Sequence, residues 1–107
     1  MNRMVPRPIL FSRLARHDLM NIWEWVATTS GDARASLVLS AIERGIFRLK
    51  DYPYLGPAKP EIAADARMLV VQRWLVLYAA SDADIRIVRV VDGALDQDII
   101  EWTTDFP

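Results

Sequence analysis

The chain has 107 residues, which allows one hydrophobic core and excludes two. Its composition, 52% hydrophobic and 25% charged with four glycines, excludes a disordered or fibrous protein. Cysteine is absent, which excludes disulfides and cysteine-ligated metals, and we expect no metal and no cofactor. The net charge of −1 argues against a partner bound through many phosphate contacts.

The hydrophobic segments are short. None approaches the roughly 20 apolar residues of a membrane span, and residues 1–11 hold no apolar run of signal-peptide length. We therefore expect a cytoplasmic protein with no membrane partner, folded as a single domain over residues 1–107.

The first predicted element is an edge strand within residues 5–11, because its two prolines cannot donate ladder hydrogen bonds. Ser12 is the predicted N-cap of a helix that ends near Gly31. Apolar residues of this helix form one core-facing stripe at helical spacing, consisting of Ala15, Leu19, Ile22, Trp23 and Val26.

A second helix is predicted from Asp32, its candidate N-cap, to about Lys50. Its stripe consists of Ala35, Val38, Leu39, Ile42, Ile46 and Leu49. Two amphipathic helices with so short a connection form an antiparallel hairpin. Residues 51–60 contain three prolines and a glycine, which predicts a loop.

Three strands are predicted next, at residues 67–71, 74–79 and 85–91, because each run is rich in β-branched or aromatic residues. Turns at residues 72–73 and 81–84 make them an antiparallel meander. Residues 95–102 are expected to add a short helical turn. The predicted fold class is α+β, in the order β-α-α-β-β-β, with a two-helix hairpin packed on a curved antiparallel sheet.

Three groups of residues, in this order and spacing, resemble the ParE/RelE toxin superfamily of type II toxin-antitoxin systems. Residues 15–23 are similar to the family pattern A-x-x-D-L-x-x-I-aromatic, and residues 49–56 to L-x-x-x-P-x-x-G. Residues 67–78 and 85–93 together are similar to R…V-x-Y…I-x-I-x-R-V-x-x-G. The resemblance covers about residues 8–96 and implies the RelE/ParE-like fold.

The C-terminal segment favours one branch of that superfamily. The resemblance implies, for the ribonuclease branch, basic residues that stabilise charge and a C-terminal Tyr or His for proton transfer. From Ala94 onward this sequence has no Tyr, His, Lys or Arg, and an acidic segment repels a phosphodiester. The chain is thus more similar to the ParE branch, whose members poison DNA gyrase by binding, although Leu95 stands where that branch often has an arginine.

The resemblance therefore implies a toxin with no catalytic residues, which inhibits DNA gyrase by binding and is neutralised by a ParD-like antitoxin. It implies no sequence-specific nucleic-acid binding by the toxin alone. One alternative is a RelE-like ribosome-dependent mRNA endonuclease. The other is a degenerate interaction module without toxicity.

Arg67, Arg89 and Lys59 are the candidate target-binding residues, and in the endonuclease alternative they stabilise charge. An arginine between apolar strand neighbours can bind a carboxylate or phosphate. The competing interpretation is that the arginines pair with acidic side chains of the sheet and that Lys59 is a solvated loop residue.

Leu14, Trp25 and Leu37 are the candidate antitoxin-binding residues, because each lies well off the apolar stripe of its helix. Apolar side chains in such positions can mark a contact surface. The alternative is that the sheet or the C-terminal segment covers them. His17 lies almost opposite the first stripe, and we expect it to face solvent.

Overall fold

The structure is a computed structural model and describes residues 7–95 and 100–107. In chain order its elements are β1 (Ile9–Phe11), α1 (Arg13–Ser30), α2 (Asp32–Arg48), β2 (Arg67–Val71), β3 (Trp74–Ala80) and β4 (Ile85–Asp92). The predicted order of elements is confirmed. The helical turn predicted within residues 95–102 falls mostly on residues 96–99, which lie outside the described residues, and residues 100–102 are not helical.

The strands form one sheet in the order β1-β4-β3-β2. The meander of β2, β3 and β4 is antiparallel as predicted, and Gln72, with φ 57°, forms its first turn. β1 corrects the expectation of an antiparallel sheet, because it pairs parallel to β4 with Ile9 opposite Ile85. The helix hairpin, β2 and β3 lie between these two strands in the sequence, and a connection of that length permits parallel pairing.

Ser12 is the N-cap of α1, as predicted. Its Oγ accepts the Ala15 N–H at 2.9 Å and donates to the Val88 carbonyl at 2.7 Å, so the cap also ties the helix to β4. Asp32 is not the second N-cap. The single residue Gly31, with φ 93°, ends α1 and precedes α2, because glycine adopts this left-handed conformation without strain.

The two helices cover one face of the sheet, which we call the inner face. Most of the predicted helix stripes are buried in its cluster. This cluster includes Ala15, Ile22 and Val26 of α1, Ala35, Val38, Ile42 and Ile46 of α2, and Leu69, Trp74, Val76, Tyr78, Ile85, Ile87 and Val90 of the sheet.

Trp23 corrects one part of the predicted stripe, since it is 36% exposed. Trp25, which is 50% exposed, contacts the sheet through Trp74, which it meets edge to face with ring centroids 6.4 Å apart.

The opposite face of the sheet, the outer face, carries a smaller cluster of Met68, Leu75, Leu77 and Val91. Residues 100–107, which we call the strap, pack on this face through Ile100 and Trp102. Within the part of the chain that the structure describes, neither helix is long and apolar enough to cross a membrane.

Candidate functional site

A buried tyrosine anchors the loop that follows α2. The Tyr78 hydroxyl donates to the Pro53 carbonyl and accepts the Gly56 N–H, each at 2.9 Å. Burial raises the pKa of the Tyr78 phenol above its usual value, while the Gly56 hydrogen bond and the nearby Arg67 oppose that shift. The neutral hydroxyl is therefore a fixed structural group. A side chain at Gly56 would collide with the Met68 carbonyl, so only glycine fits there.

Arg67 lies at the same junction, because it is opposite Tyr78 in the β2–β3 pair. Its Nη1 donates to the Gly56 carbonyl at 2.7 Å, and its guanidinium stacks over the Tyr54 ring at 4.8 Å. The partner is a backbone carbonyl rather than the acidic side chain that the competing interpretation named. Arg67 thus holds the loop while remaining partly exposed.

The second junction joins α1 to the edge of β4. Asp18 accepts hydrogen bonds from Arg89 Nε at 2.8 Å, from Arg89 Nη2 at 3.0 Å and from the Val90 N–H at 3.0 Å. β1 ends opposite Ile87, so the carboxylate satisfies a donor of β4 beyond the reach of β1. One side chain therefore completes the sheet edge and neutralises an arginine.

Arg89 is largely enclosed, with 17% of its side chain exposed against 13% for Asp18. The hydrogen bonds to Asp18 raise the pKa of Arg89 above its usual value. Its Nη1 donates to the Glu101 carbonyl of the strap at 3.3 Å. The candidate Arg89 is thus held between a helix and the strap.

Lys59, the third candidate, lies in the loop before β2. Its Nζ is 3.9 Å from the Glu61 carboxylate, and 27% of its side chain is exposed. The structure does not bring Arg67 and Arg89 to one junction, because each belongs to a separate hydrogen-bonded group.

A groove of about 340 Å³ lies between α1 and the ends of β3 and β4, and we call it the tryptophan groove. Trp25 and Trp74 form one wall, and Leu95 contributes to another. Arg73 stacks over both tryptophan rings at 5.2 Å and pairs with Asp92. A hydrogen bond from the Ala94 N–H and then the Arg73 pair lower the pKa of Asp92 below its usual range.

Trp25 is the only one of the three candidate antitoxin-binding residues that lines this groove. It is 50% exposed. Leu14 is partly buried on α1, and Leu37 is 63% exposed on α2. His17 is exposed, as predicted.

A larger groove of about 790 Å³ runs between α2 and β2, and we call it the α2–β2 groove. Its lining consists of Ser40, Ala41, Glu43, Arg44, Gly45, Phe47, Arg48, Leu69, Val70 and Val71. A Cβ at Gly45 would lie 2.6 Å from the Val71 side chain, so this glycine permits the close approach of helix and strand. Phe47 and Val70 are 64% and 57% exposed.

β2 is the edge strand of this groove. The loop covers its beginning, where Met68 N–H donates to the Pro57 carbonyl at 3.1 Å. Alternation along the strand then points the N–H and C=O of Val70 away from β3. An apolar groove thus adjoins a strand edge that can accept another strand.

Comparison with known proteins identifies the family and the fold. Residues 9–96 match the family model of the ParE toxin of the type II toxin-antitoxin system parDE. The chain belongs to the ParE toxin family. It is 30% identical to Toxin ParE3 of Caulobacter vibrioides over 88 residues, which are 82% of this chain and 88% of that protein. It shares its fold with a solved structure titled the chromosomal ParDE TA system from P. aeruginosa, with a TM-score of 0.71 and 18% identity, over 80% of this chain and 95% of that one.

The region matched to the ParE family contains both junctions and both grooves, and it ends before the strap. The Asp18–Arg89 bond joins the first and third sequence patterns of the resemblance. The Gly56, Arg67 and Tyr78 contacts join the second and third. Sequence reasoning did not assign roles to Asp18, Gly56 or Tyr78, although each is a fixed letter of those patterns.

Phe47 and Val70 of the α2–β2 groove were also missed. Phe47 lies off the α2 stripe, as Leu37 does, so the same argument would have selected it. Val70 gave no signal, because its exposure depends on which strand forms the edge of the sheet.

Proposed function

We propose that this chain is the toxin of a ParDE-type pair, that it binds and inhibits DNA gyrase in the cytoplasm, and that a ParD-like antitoxin neutralises it. The match of residues 9–96 to the ParE toxin family carries the proposal. The solved structure with the same fold is titled as a ParDE system, which supports a paired partner.

The way the arginines are bonded supports action by binding rather than cleavage. Arg67 donates to a loop carbonyl and Arg89 to Asp18. The Tyr78 hydroxyl is buried and bonded to loop backbone. Cleavage of a phosphodiester needs cationic groups and a proton donor that converge on an accessible substrate, and these three groups are engaged in holding the fold.

Arg67, Arg89 and Lys59 remain the proposed target contacts. An arginine that is bonded on one edge of its guanidinium can still offer N–H groups on another edge to a carboxylate. Lys59 is more exposed than Arg89, at 27% against 17% of the side chain, and its charge is at the end of a flexible side chain, so we propose that it makes the first contact.

Purified protein tests the target directly. We expect inhibition of gyrase supercoiling and, in cells that express the chain alone, filamentation with DNA-damage signalling. Lys59→Ala should weaken inhibition without changing the melting temperature, and Lys50→Ala, at the other lysine of the chain, is the matched control. Abrupt translational arrest with cut messages would instead support the endonuclease alternative, and normal growth would support the non-toxic module.

For the antitoxin, we propose that a segment that folds on contact occupies the α2–β2 groove and extends toward Leu14, Trp25 and Leu37. Exposed apolar side chains beside a strand edge suit a segment that adds backbone hydrogen bonds and buries alternate side chains. The arginines of the groove, Arg44 and Arg48, favour an acidic segment.

Binding of the purified antitoxin to single variants tests these contacts. Phe47→Ala and Trp25→Ala should each weaken binding by about tenfold, as loss of a moderately important interface residue does. Met20→Ala is the control, because Met20 is 61% exposed on α1 and lines neither groove. Unchanged affinity in both variants would contradict the assignment.

A further inference from the structure

The strap lies on the outer face of the sheet, and it lies outside the region matched to the ParE family, which ends at residue 96. Ile100 and Trp102, together with Ile62 of the loop before β2, pack against the cluster of Met68, Leu75, Leu77 and Val91. Trp102 and Phe106 also line a small cavity of about 80 Å³ over Arg86 and Val88. The chain therefore uses its own C-terminal residues to cover an apolar face that also carries arginines.

The strap also occupies a donor of Arg89. Asp18 accepts from Nε and Nη2 of that arginine, and the Glu101 carbonyl accepts from Nη1 at 3.3 Å. Since a guanidinium binds acceptors along its planar edges, the Glu101 carbonyl stands where the acceptor of a partner would bind.

The contacts that hold the strap are few and exposed compared with those of the helices. Its far end is attached by an Arg13–Asp105 ion pair at 3.4 Å, with both side chains more than 60% exposed, and by one backbone hydrogen bond of 3.2 Å from Arg13 to Asp105. Exposed ion pairs contribute little to stability. Trp102 and Ile100 are only partly buried.

We infer that the outer face is a binding surface for an extended polypeptide segment with an aromatic side chain next to a carbonyl or carboxylate acceptor, and that the strap is its built-in competitor. The inference rests on the proposed function for the identity of the partner: the segment belongs to the target, and the target binds when the strap leaves. The binding-competent fraction of the toxin then limits its apparent affinity.

The surface itself is tested without the target. The probe is a labelled peptide with the strap sequence, Ile-Glu-Trp-Thr-Thr-Asp-Phe-Pro, added to full-length protein. Trp102→Ala weakens the internal competitor, so this variant should bind the peptide about tenfold more tightly than the unaltered chain. Tyr52→Ala, an aromatic truncation at a residue 63% exposed in the loop, should bind like the unaltered chain. Ile100→Ala also weakens the contact of the strap with the outer face, and it replaces Trp102→Ala if that variant does not fold.

A disulfide that holds the strap in place provides the opposite test. Because the chain has no cysteine, the double substitution Arg13→Cys and Asp105→Cys introduces one pair of thiols, at two residues that a backbone hydrogen bond of 3.2 Å already joins. The oxidised protein should not bind the peptide and should lose gyrase inhibition by about tenfold or more, and reduction should restore both.

The outcomes separate the inference from the proposed function. The inference is overturned if the peptide binds neither Trp102→Ala nor Ile100→Ala. It is also overturned if the peptide binds the oxidised and reduced forms of the double cysteine variant equally. Equal gyrase inhibition by the oxidised and reduced forms overturns it too, while the proposed function stands. If the peptide binds as expected and no form inhibits gyrase, the outer face remains a binding surface and the gyrase target is wrong.

Discussion

The two faces of the sheet are covered by different parts of the chain. The inner face is covered by α1 and α2, which lie within the ParE region, and its cluster contains fully buried residues such as Ile42 and Val76. The outer face is covered by the strap and by Ile62, through partly buried side chains. Hydrophobic stabilisation scales with the apolar area removed from water. The inner cover, α1 and α2, therefore contributes more to the stability of the fold, and the outer cover, the strap, can be displaced with a smaller loss of free energy.

The same substitution on the two covers gives the sharpest test of this difference. Ile42→Ala removes a side chain with no exposure and should lower the free energy of unfolding by about 3 kcal/mol. Ile100→Ala should lower it by only about 1 kcal/mol, because Ile100 is partly buried. Urea unfolding followed by circular dichroism measures both. Equal losses would abolish the distinction between the two covers.

The ion pairs of α1 and of the strap should also differ in how much they stabilise the fold. Asp18→Asn leaves Arg89 in a mostly enclosed position without its charge partner and should destabilise the fold by about 2 kcal/mol. Asp105→Asn breaks the exposed pair of the strap and should change stability by no more than about 0.5 kcal/mol. A loss at Asp105 as large as that at Asp18 would mean that the strap is part of the main fold.

The substitution Tyr78→Phe tests how much the Tyr78 hydroxyl stabilises the loop that follows α2. Tyr78→Phe leaves the Gly56 N–H and the Pro53 carbonyl without their partner and should lower stability by about 1–2 kcal/mol. Since the folded pKa of Tyr78 is raised, its stabilising effect is complete below the unfolded value of about 10 and is lost as the pH rises above it. Melting temperatures from pH 8 to pH 11 should therefore fall more steeply for the unaltered protein than for Tyr78→Phe, and parallel curves would contradict this.

The smallest effect is expected at Asp92, at the end of β4. Its lowered folded pKa means that its contribution is present above the unfolded value of about 3.9 and is lost as the pH falls. Because about a third of its side chain is exposed, solvent screening keeps the effect small. The stability of Asp92→Asn should fall slightly less steeply with decreasing pH than that of the unaltered protein. An equally steep fall would mean that other carboxylates cause the acid sensitivity.

Local patterns predicted the elements well, because helix and strand periodicity reflects which side of each element is buried. The ends of α1, α2 and β2 to β4 fall within about two residues of the predicted positions. Three expectations were wrong, concerning the pairing of β1, the burial of Trp23 and the N-cap at Asp32. β1 pairs parallel with β4, which lies beyond the helix hairpin, β2 and β3 in the sequence. Trp23 is 36% exposed although it lies on the periodic stripe of α1, and Gly31 rather than Asp32 takes the cap position before α2.

The candidate site was less predictable, because its contacts join residues that are far apart in sequence. Arg67 and Arg89 were selected as cations available to a target, and the structure shows the bonds that they make within the fold. Arg89 and Asp18 are 71 residues apart, so charge patterning along either segment cannot pair them. The α2–β2 groove depends likewise on the position of β2 at the edge of the sheet.

The bond from the Val90 N–H to Asp18 also limits how the protein can assemble. On that side the sheet is closed by a carboxylate and by the three-residue β1, which follows Pro8, and short edges next to proline resist strand addition. Extension is left to the β2 side. Endless stacking needs two opposite edges that accept strands, so assemblies built by strand addition should stop at one added partner or at a symmetric pair joined through β2, and open-ended fibres are disfavoured.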